Sequence, residues 1–575
     1  MKEGDLMKSV SIAFALVCLT STLYAGDPPP LPKVLPPLIS IPVLPPVDPP
    51  PRTHPVSALT PDLLAHLNIS PWLRDFLAAE LQRAQLTTPQ KSSVATPDQS
   101  LAQVSSLQQK RLSPHVLVTP VGSEVLRSYE SSFNHLDQEP AVITNMWSHW
   151  YGDEYRTLYS FMRYPAGSGT YSSAGSPVLF VTRGSDQAGT QLPMPNNPYG
   201  FAFVSSGDPT VATNLYIYGV KPLRMYVAGT TYDSNWTQVS VWRTDDGGLS
   251  TWSLPSTCGD ASGLPFSRST GYLLDKPNIQ VSNDPSTLGW VYVVVAKNGG
   301  SSEPVIFNFY RSTDGDNFYL TQNPITGDGV VPTTARSASA QVVVDNQNGY
   351  VYVFWLDSST IPGTLYGVRS RDYGNTWEHI AAGVSAGRLI DVDDGHICQV
   401  QNGVVTSNDC VEARSMLAAK FNPYSRTVGL TWAAREGGAG SDTDIHFAAY
   451  NVDSGAWYVA TTGRARSQWA PALDYDNTGN FVLAFYDRLD DPADALFTIY
   501  SNKMGPTALP VGDYVRIPTG TISADPSCSN HCDFENTWRF GEYQGLWTLN
   551  GYVYSAFFYS PQNAADIYSA YLSLP

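Results

Sequence analysis

The chain is 575 residues long, with 15 % charged residues, 12 % aromatics, 45 glycines and 44 prolines. So few charges among so many aromatics and turn formers describe a turn-rich all-β protein and exclude a mainly helical or disordered one. The formal net charge of −17 argues against nucleic acid and anionic membrane surfaces as partners.

At the N-terminus Lys8 precedes the apolar run Val10 to Leu19, and small or polar residues lead to Ala25. Residues 1–25 read as a secretory signal peptide, with Met7 as an alternative start. The run is too short to span a bilayer, so the protein is expected to be secreted or periplasmic. From Gly26 to Pro55, 13 of 30 residues are proline. Helices and strands both need N–H donors, so residues 26–58 are expected to be an extended linker.

Residues 59–115 have a different pattern. Thr60-Pro61, Ser70-Pro71 and Thr96-Pro97 each set a capping residue before a first-turn proline. Trp72, Leu73, Phe76, Leu77 and Leu81 keep helical spacing and predict an amphipathic helix. Leu101, Val104 and Leu112 suggest a second, weaker one. A small helical segment is expected here, either packed on the main domain or serving as a propeptide or docking module.

From residue 122 onward short strands alternate with turns. Recurrent lead-in stretches each place a few polar residues before a β-rich run. They occur at Gln138 to Val142, Gly207 to Val211, Asp275 to Ile279, Arg336 to Val342, Arg414 to Ala419, Gln468 to Ala472 and Gly541 to Leu546. Seven such units at intervals of roughly 55–75 residues fit seven four-stranded blades of a β-propeller over residues 122–575, with six as the alternative. A strand from near residues 115–130 is expected to close the ring.

The stretch Ser370-Arg371-Asp372-Tyr373-Gly374-Asn375-Thr376-Trp377 lies between two strand patterns. It reads as a turn in which the Asp carboxylate accepts turn N–H groups, the Gly takes the left-handed position and the Trp packs beneath. Imperfect copies stand at Thr244 to Trp252 and at Ser312 to Phe318; the second lacks the Thr and has Asp316 where the Gly is expected.

These residues resemble the Asp-box (BNR) repeats of sialidase-like β-propellers. The opening Asp275-Lys276, the Tyr486-Asp487-Arg488 stretch and the Gly541-Glu542-Tyr543-Gln544-Gly545-Leu546 opening extend the resemblance over about residues 130–575. It implies a glycan-active protein, most like an exo-acting sialidase-type glycoside hydrolase. A polysaccharide lyase and a non-catalytic carbohydrate- or protein-binding propeller share the fold and stay open as alternatives.

In a propeller the leading ends of the innermost strands converge on one funnel. The resemblance implies Tyr543 as nucleophile beside Glu542, Asp208 or Asp275 as acid/base, and Arg336, Arg414 and Arg163 as a clamp on an acidic sugar. Lys276 and Trp469 are further substrate-binding candidates. The family's early Arg-Ile/Leu-Pro motif is absent at its expected place: Arg163-Tyr164-Pro165 is a distant echo, and Arg516-Ile517-Pro518 lies near the wrong end. The alternative for each charged residue is a pairing that holds neighbouring blades in register.

No cofactor is called for. Calcium at Asp391, Asp393 and Asp394, or at Asp487, Asp490, Asp491 and Asp494, competes with the reading of both stretches as solvated acidic loops. Cys398–Cys410 and Cys528–Cys532 are the natural local disulfides in an oxidising compartment, which leaves Cys258 over. The oligomeric state is not readable from the sequence.

Overall fold

The chain divides into two compact units, Met1–Thr96 and Pro97–Pro575, and every residue described by the computed structural model belongs to the second. These are residues 110–111, 125–128, 135–149, 152–165, 176–183, 190–192, 205–214, 224–232, 237–245, 257–259, 273–284, 286–298, 305–321, 340–390, 396–397, 400–401, 404–405, 411–412, 414–435, 442–464, 466–489, 496–523, 538–539, 544–549, 552–559 and 566–573. The expected signal peptide (residues 1–25), the expected linker (26–58), and Cys398, Cys410, Cys528 and Cys532 fall outside them, as does the segment 59–115 apart from Lys110–Arg111. Those two residues form a short strand parallel to Ala460–Thr461.

The described residues are all-β, with no helix among them. Seven strands open successive antiparallel arrangements: β1 (His135–His149), β2 (Ser205–Thr213), β3 (Leu273–Val281), β4 (Ala340–Asp345), β5 (Ala418–Asn422), β6 (Gln468–Tyr475) and β7 (Gly545–Leu549). Each pairs with the strand that follows it, as β4 does with Tyr350–Asp357 and β6 with Phe481–Asp487. The opening strands also neighbour one another in order, β1 beside β2 and so on to β7, and β7 lies beside β1. Val125–Ser128 pairs antiparallel with Asp566–Ser573 at the outer edge of the β7 sheet. The expected closing strand therefore comes from the chain's early part.

The core lies between the faces of successive sheets. Val294, Phe307 and Phe309 of the β3 sheet pack with Val342, Val353 and Trp355 of the β4 sheet in one buried cluster. Phe354 and Leu365 meet Leu430 and Trp432 in the next. With both faces of an inner sheet covered, the usual apolar–polar alternation gives way to continuous runs. All nine residues of Thr427–Arg435 are buried, and each large apolar side chain so buried contributes about 1.5–3 kcal/mol.

The turn at Ser370 joins Gly363–Ser370 to Glu378–Leu389 and closes on itself. The Thr376 N–H and hydroxyl donate to the two Asp372 carboxylate oxygens at 2.8 and 2.7 Å, and the Gly374 N–H donates to Ser370 Oγ at 2.7 Å. Gly374 sits at φ +93°, and Trp377 packs edge-on against Phe309 with ring centroids 5.0 Å apart. Partial burial pushes the Asp372 carboxyl up, but the Thr376 and Ser370 donors outweigh it and hold it below the ordinary value.

The copy at Ser312–Phe318 works with one residue fewer. Gly315, not position 316, takes the left-handed conformation, at φ +77°. Asn317 replaces the missing Thr, donating to Asp314 through its N–H at 2.8 Å and its side-chain amide at 2.5 Å. Most of the copy at Thr244–Trp252 lies outside the described residues.

Candidate functional site

Four of the opening strands share one irregularity. In β3, Asp275 pairs with Ala296 and Asn278 with Val294, so Lys276 and Pro277 together oppose Val295 alone. The same two-against-one bulge falls at Glu139-Pro140 in β1, Asp208-Pro209 in β2 and Ala470-Pro471 in β6. Proline lacks an N–H and is excluded from a regular ladder, so a bulge is where a strand can hold it. Lys276 and Ala470 adopt φ +50° and +47°, a left-handed conformation that costs a non-glycine residue about 1–2 kcal/mol. The Asp275 carboxylate steadies one such kink by accepting the Lys276 N–H at 3.0 Å.

Three of these bulges, those of β2, β3 and β6, help to line a cavity of about 140 Å³, with Pro209, Lys276, Pro277, Met416, Pro471 and Gln544 in its walls. Amides tie adjacent walls together. Asn278 donates to Gln341 Oε1 at 2.9 Å and accepts the Val342 N–H at 3.0 Å, which joins β3 to β4. Gln544 donates to the Ala470 carbonyl at 2.8 Å and joins the lead of β7 to β6. Such bonds fix the spacing of the walls, because a buried amide left unpaired costs about 1–3 kcal/mol.

The sequence-predicted residues distribute as follows. Lys276 lines the cavity and Asp275 precedes it on the same bulge. Arg414 comes two residues before Met416, which also lines it; its carbonyl accepts the Met416 N–H at 2.9 Å. Asp208 occupies the β2 bulge. Arg163, on the second strand of the β1 sheet, pairs with Asp137 just before the β1 bulge. Trp469 is buried without solvent exposure, tilted against Tyr486 at 5.6 Å, with the Arg488 guanidinium 5.5 Å from its ring. Arg516 stands on the outermost strand of the β6 sheet, opposite Tyr500. Arg336, Glu542 and Tyr543 lie outside the described residues, as do Asp391, Asp393, Asp394, Asp490, Asp491 and Asp494. Asp487, the remaining calcium candidate, is buried and bonded to Arg464 Nε at 2.7 Å. The Arg464 guanidinium lies 4.5 and 4.2 Å from the ring centres of Tyr500 and Tyr514.

Several axial polar residues were not singled out from the sequence. Gln280, Gln341 and Lys420 line the cavity, and each stands between apolar neighbours on an opening strand: Ile279 and Val281, Ala340 and Val342, Ala419 and Phe421. A lone polar residue alternating with buried ones is the signal that finds them, because alternate side chains of an inner strand face the axis.

No family model and no curated protein matches the chain. Among solved structures it is similar to a Penicillium chrysogenum α-L-arabinanase complexed with arabinobiose, at 11 % identity and a TM-score of 0.36. That match covers 79 % of this chain and 99 % of that one. It is also similar to a polysaccharide lyase, at 11 % identity and a TM-score of 0.37, over 85 % of this chain and 96 % of that one. A mutant of Trypanosoma rangeli sialidase displaying trans-sialidase activity matches at 10 % identity and a TM-score of 0.32, over 80 % of this chain and 59 % of the other. Likenesses of this strength assign neither an activity nor a substrate.

Proposed function

We propose that residues 122–575 form a seven-bladed β-propeller of the Asp-box type, and that its lead-end cavity takes the terminal residue of an acidic glycan. The observation that carries this reading is the cycle of opening strands, β1 to β7 and back to β1, with the bulges of β2, β3 and β6 lining a cavity that has Lys276 in its wall. A cation at a narrow mouth among amides and prolines suits a sugar carboxylate, which needs a charge partner and hydrogen-bond donors.

The activity proposed is exo-acting, sialidase-type glycoside hydrolysis by an exported protein. Arg414, Arg336 and Arg163 join Lys276 on the carboxylate, and Trp469 backs the mouth from within the wall. The Tyr543 hydroxyl, deprotonated by Glu542, attacks the anomeric carbon, while Asp208 or Asp275 protonates the departing glycosidic oxygen. Water, deprotonated by the same aspartate, then releases the sugar and regenerates the tyrosine. A non-catalytic binding propeller is the second reading. One observation favours it: the described residues lining the cavity include no carboxylate, and Asp275 is engaged by the N–H of its own bulge.

Incubation of the chain from Gly26 onward with sialosides and acidic polysaccharides decides between them. Released sugar ends without ultraviolet-absorbing unsaturated products are the expected result. Unsaturated products point to a lyase, and saturable binding without turnover to the binding propeller.

A further inference from the structure

The same inner strands enclose a second cavity toward their far ends, of about 80 Å³, lined in part by Asn283, Asn346, Lys420, Asp474, Tyr475 and Trp547. It shares Val211, Gln280, Ala419 and Lys420 with the lead-end cavity, so Lys420 stands where the two meet. Asp474 accepts the Thr548 hydroxyl at 3.0 Å and the Thr548 N–H. The Lys420 ammonium lies 4.8 Å from the centre of the Trp547 ring. Burial pushes the lysine down and the aspartic acid up, each opposed by the other's charge. Among the described residues the two make no direct ion pair, and the buried Trp547 Nε1 has no hydrogen-bond partner. Of the lining rings, Tyr475 and Trp547 are each half-buried, and Tyr475 is met edge-on from outside the cavity by Tyr424, with centroids 6.3 Å apart.

This combination selects a class of ligand. An anion drawn to Lys420 meets Asp474, and a cation drawn to Asp474 meets Lys420. A neutral group bearing several hydroxyls suits both, because each hydroxyl donates and accepts. Half-buried aromatic rings beside convergent polar groups complete the profile of a small-molecule site, the rings covering the C–H faces of a sugar. We propose that the far cavity is a second carbohydrate-recognition site, taking one neutral sugar residue. Tyr475 and the Trp547 ring supply its apolar faces, and Lys420 and Asp474 its hydrogen bonds. The site goes beyond the lead-end reading and does not depend on it.

The test is saturation-transfer NMR on the folded full chain with methyl glycosides of neutral hexoses, deoxyhexoses and pentoses, followed by calorimetry on those that respond. At least one glycoside is expected to bind, and Asp474→Asn and Tyr475→Ala each to weaken it about tenfold, a change of about 1.4 kcal/mol. Tyr475 is half-buried at the end of its strand, so its variant reports on the site even if Asp474→Asn fails to fold. No saturation transfer from any glycoside overturns the proposal, as does binding that Tyr475→Ala leaves unchanged.

Discussion

The outer turn at Ser370–Trp377 and the lead ends of the opening strands both use an aspartate to accept N–H groups from a kinked backbone, but their reach differs. In the turn the carboxylate and its donors fall within eight consecutive residues. At the lead ends the equivalent bond, from Lys276 N–H to Asp275, fixes only one wall of the cavity. The other walls come from Pro209, Met416, Pro471 and Gln544, far apart in the chain. A local motif secures its own geometry, whereas a convergent site depends on the whole ring of sheets. Substitutions in the first region should therefore change stability alone, and those in the second should change binding.

The largest effect is expected at Gly374. A Cβ there would lie 2.4 Å from Phe309 Cε1, in a backbone at φ +93°, and the Phe309 ring is itself buried. Left-handed strain and overpacking together put Gly374→Ala at about 3 kcal/mol of lost stability, measured by urea unfolding. Asp372→Ala comes next. It leaves the Thr376 and Ser370 donors without their acceptor in a largely exposed turn, at a cost of about 0.5–1.5 kcal/mol, and it should leave glycan binding intact. A selective loss of binding would break the distinction between the two regions.

Lys276→Gly should behave in the opposite way. Glycine adopts φ +50° freely, which removes about 1–2 kcal/mol of strain, while its extra freedom when unfolded takes back about 0.5–1 kcal/mol. Stability should stay within about 1 kcal/mol of the parent, and affinity for acidic sugars should fall. The smallest effect expected is in the acid limb of the turn at Ser312–Phe318. Burial pushes the Asp314 carboxyl up, but the N–H groups of Asn317 and Asp316 outweigh it and hold it near about 2, against an ordinary 3.8. Its contribution is present above pH 3.8 and is lost as pH falls toward 2. Solvent exposure keeps it small. Asp314→Asn should flatten that part of the stability–pH curve.

The contrast also explains what could be read from the sequence. The turn was legible, down to the roles of Asp372, Gly374 and Trp377, because everything that holds it is local. The shorter copy was read less well: Asn317 does what a threonine does elsewhere, a substitution of function that residue identity hides. The lead-in prolines were visible, but not their meaning, since a bulge exists only relative to a partner strand. Lys420 and Asp474 were missed because their isolation among apolar neighbours becomes informative only when the strand is known to line an axis. Lys276 could be named as a candidate, yet its place in one cavity wall with Met416 and Gln544 follows from strand order around the ring, which no spacing along the chain encodes.

The most direct test of the lead-end site is a calorimetric titration of a sialyl-oligosaccharide and an oligouronate into the parent, Lys276→Gly and Asp372→Ala, alongside their unfolding curves. The predicted result is binding of at least one of these acidic ligands to the parent, weakened about tenfold in Lys276→Gly, a difference of about 1.4 kcal/mol, with no comparable loss of stability. Asp372→Ala should lose stability and keep its affinity. Equal affinity in the parent and Lys276→Gly, or no binding of either ligand, would contradict an acidic-sugar site at the lead ends.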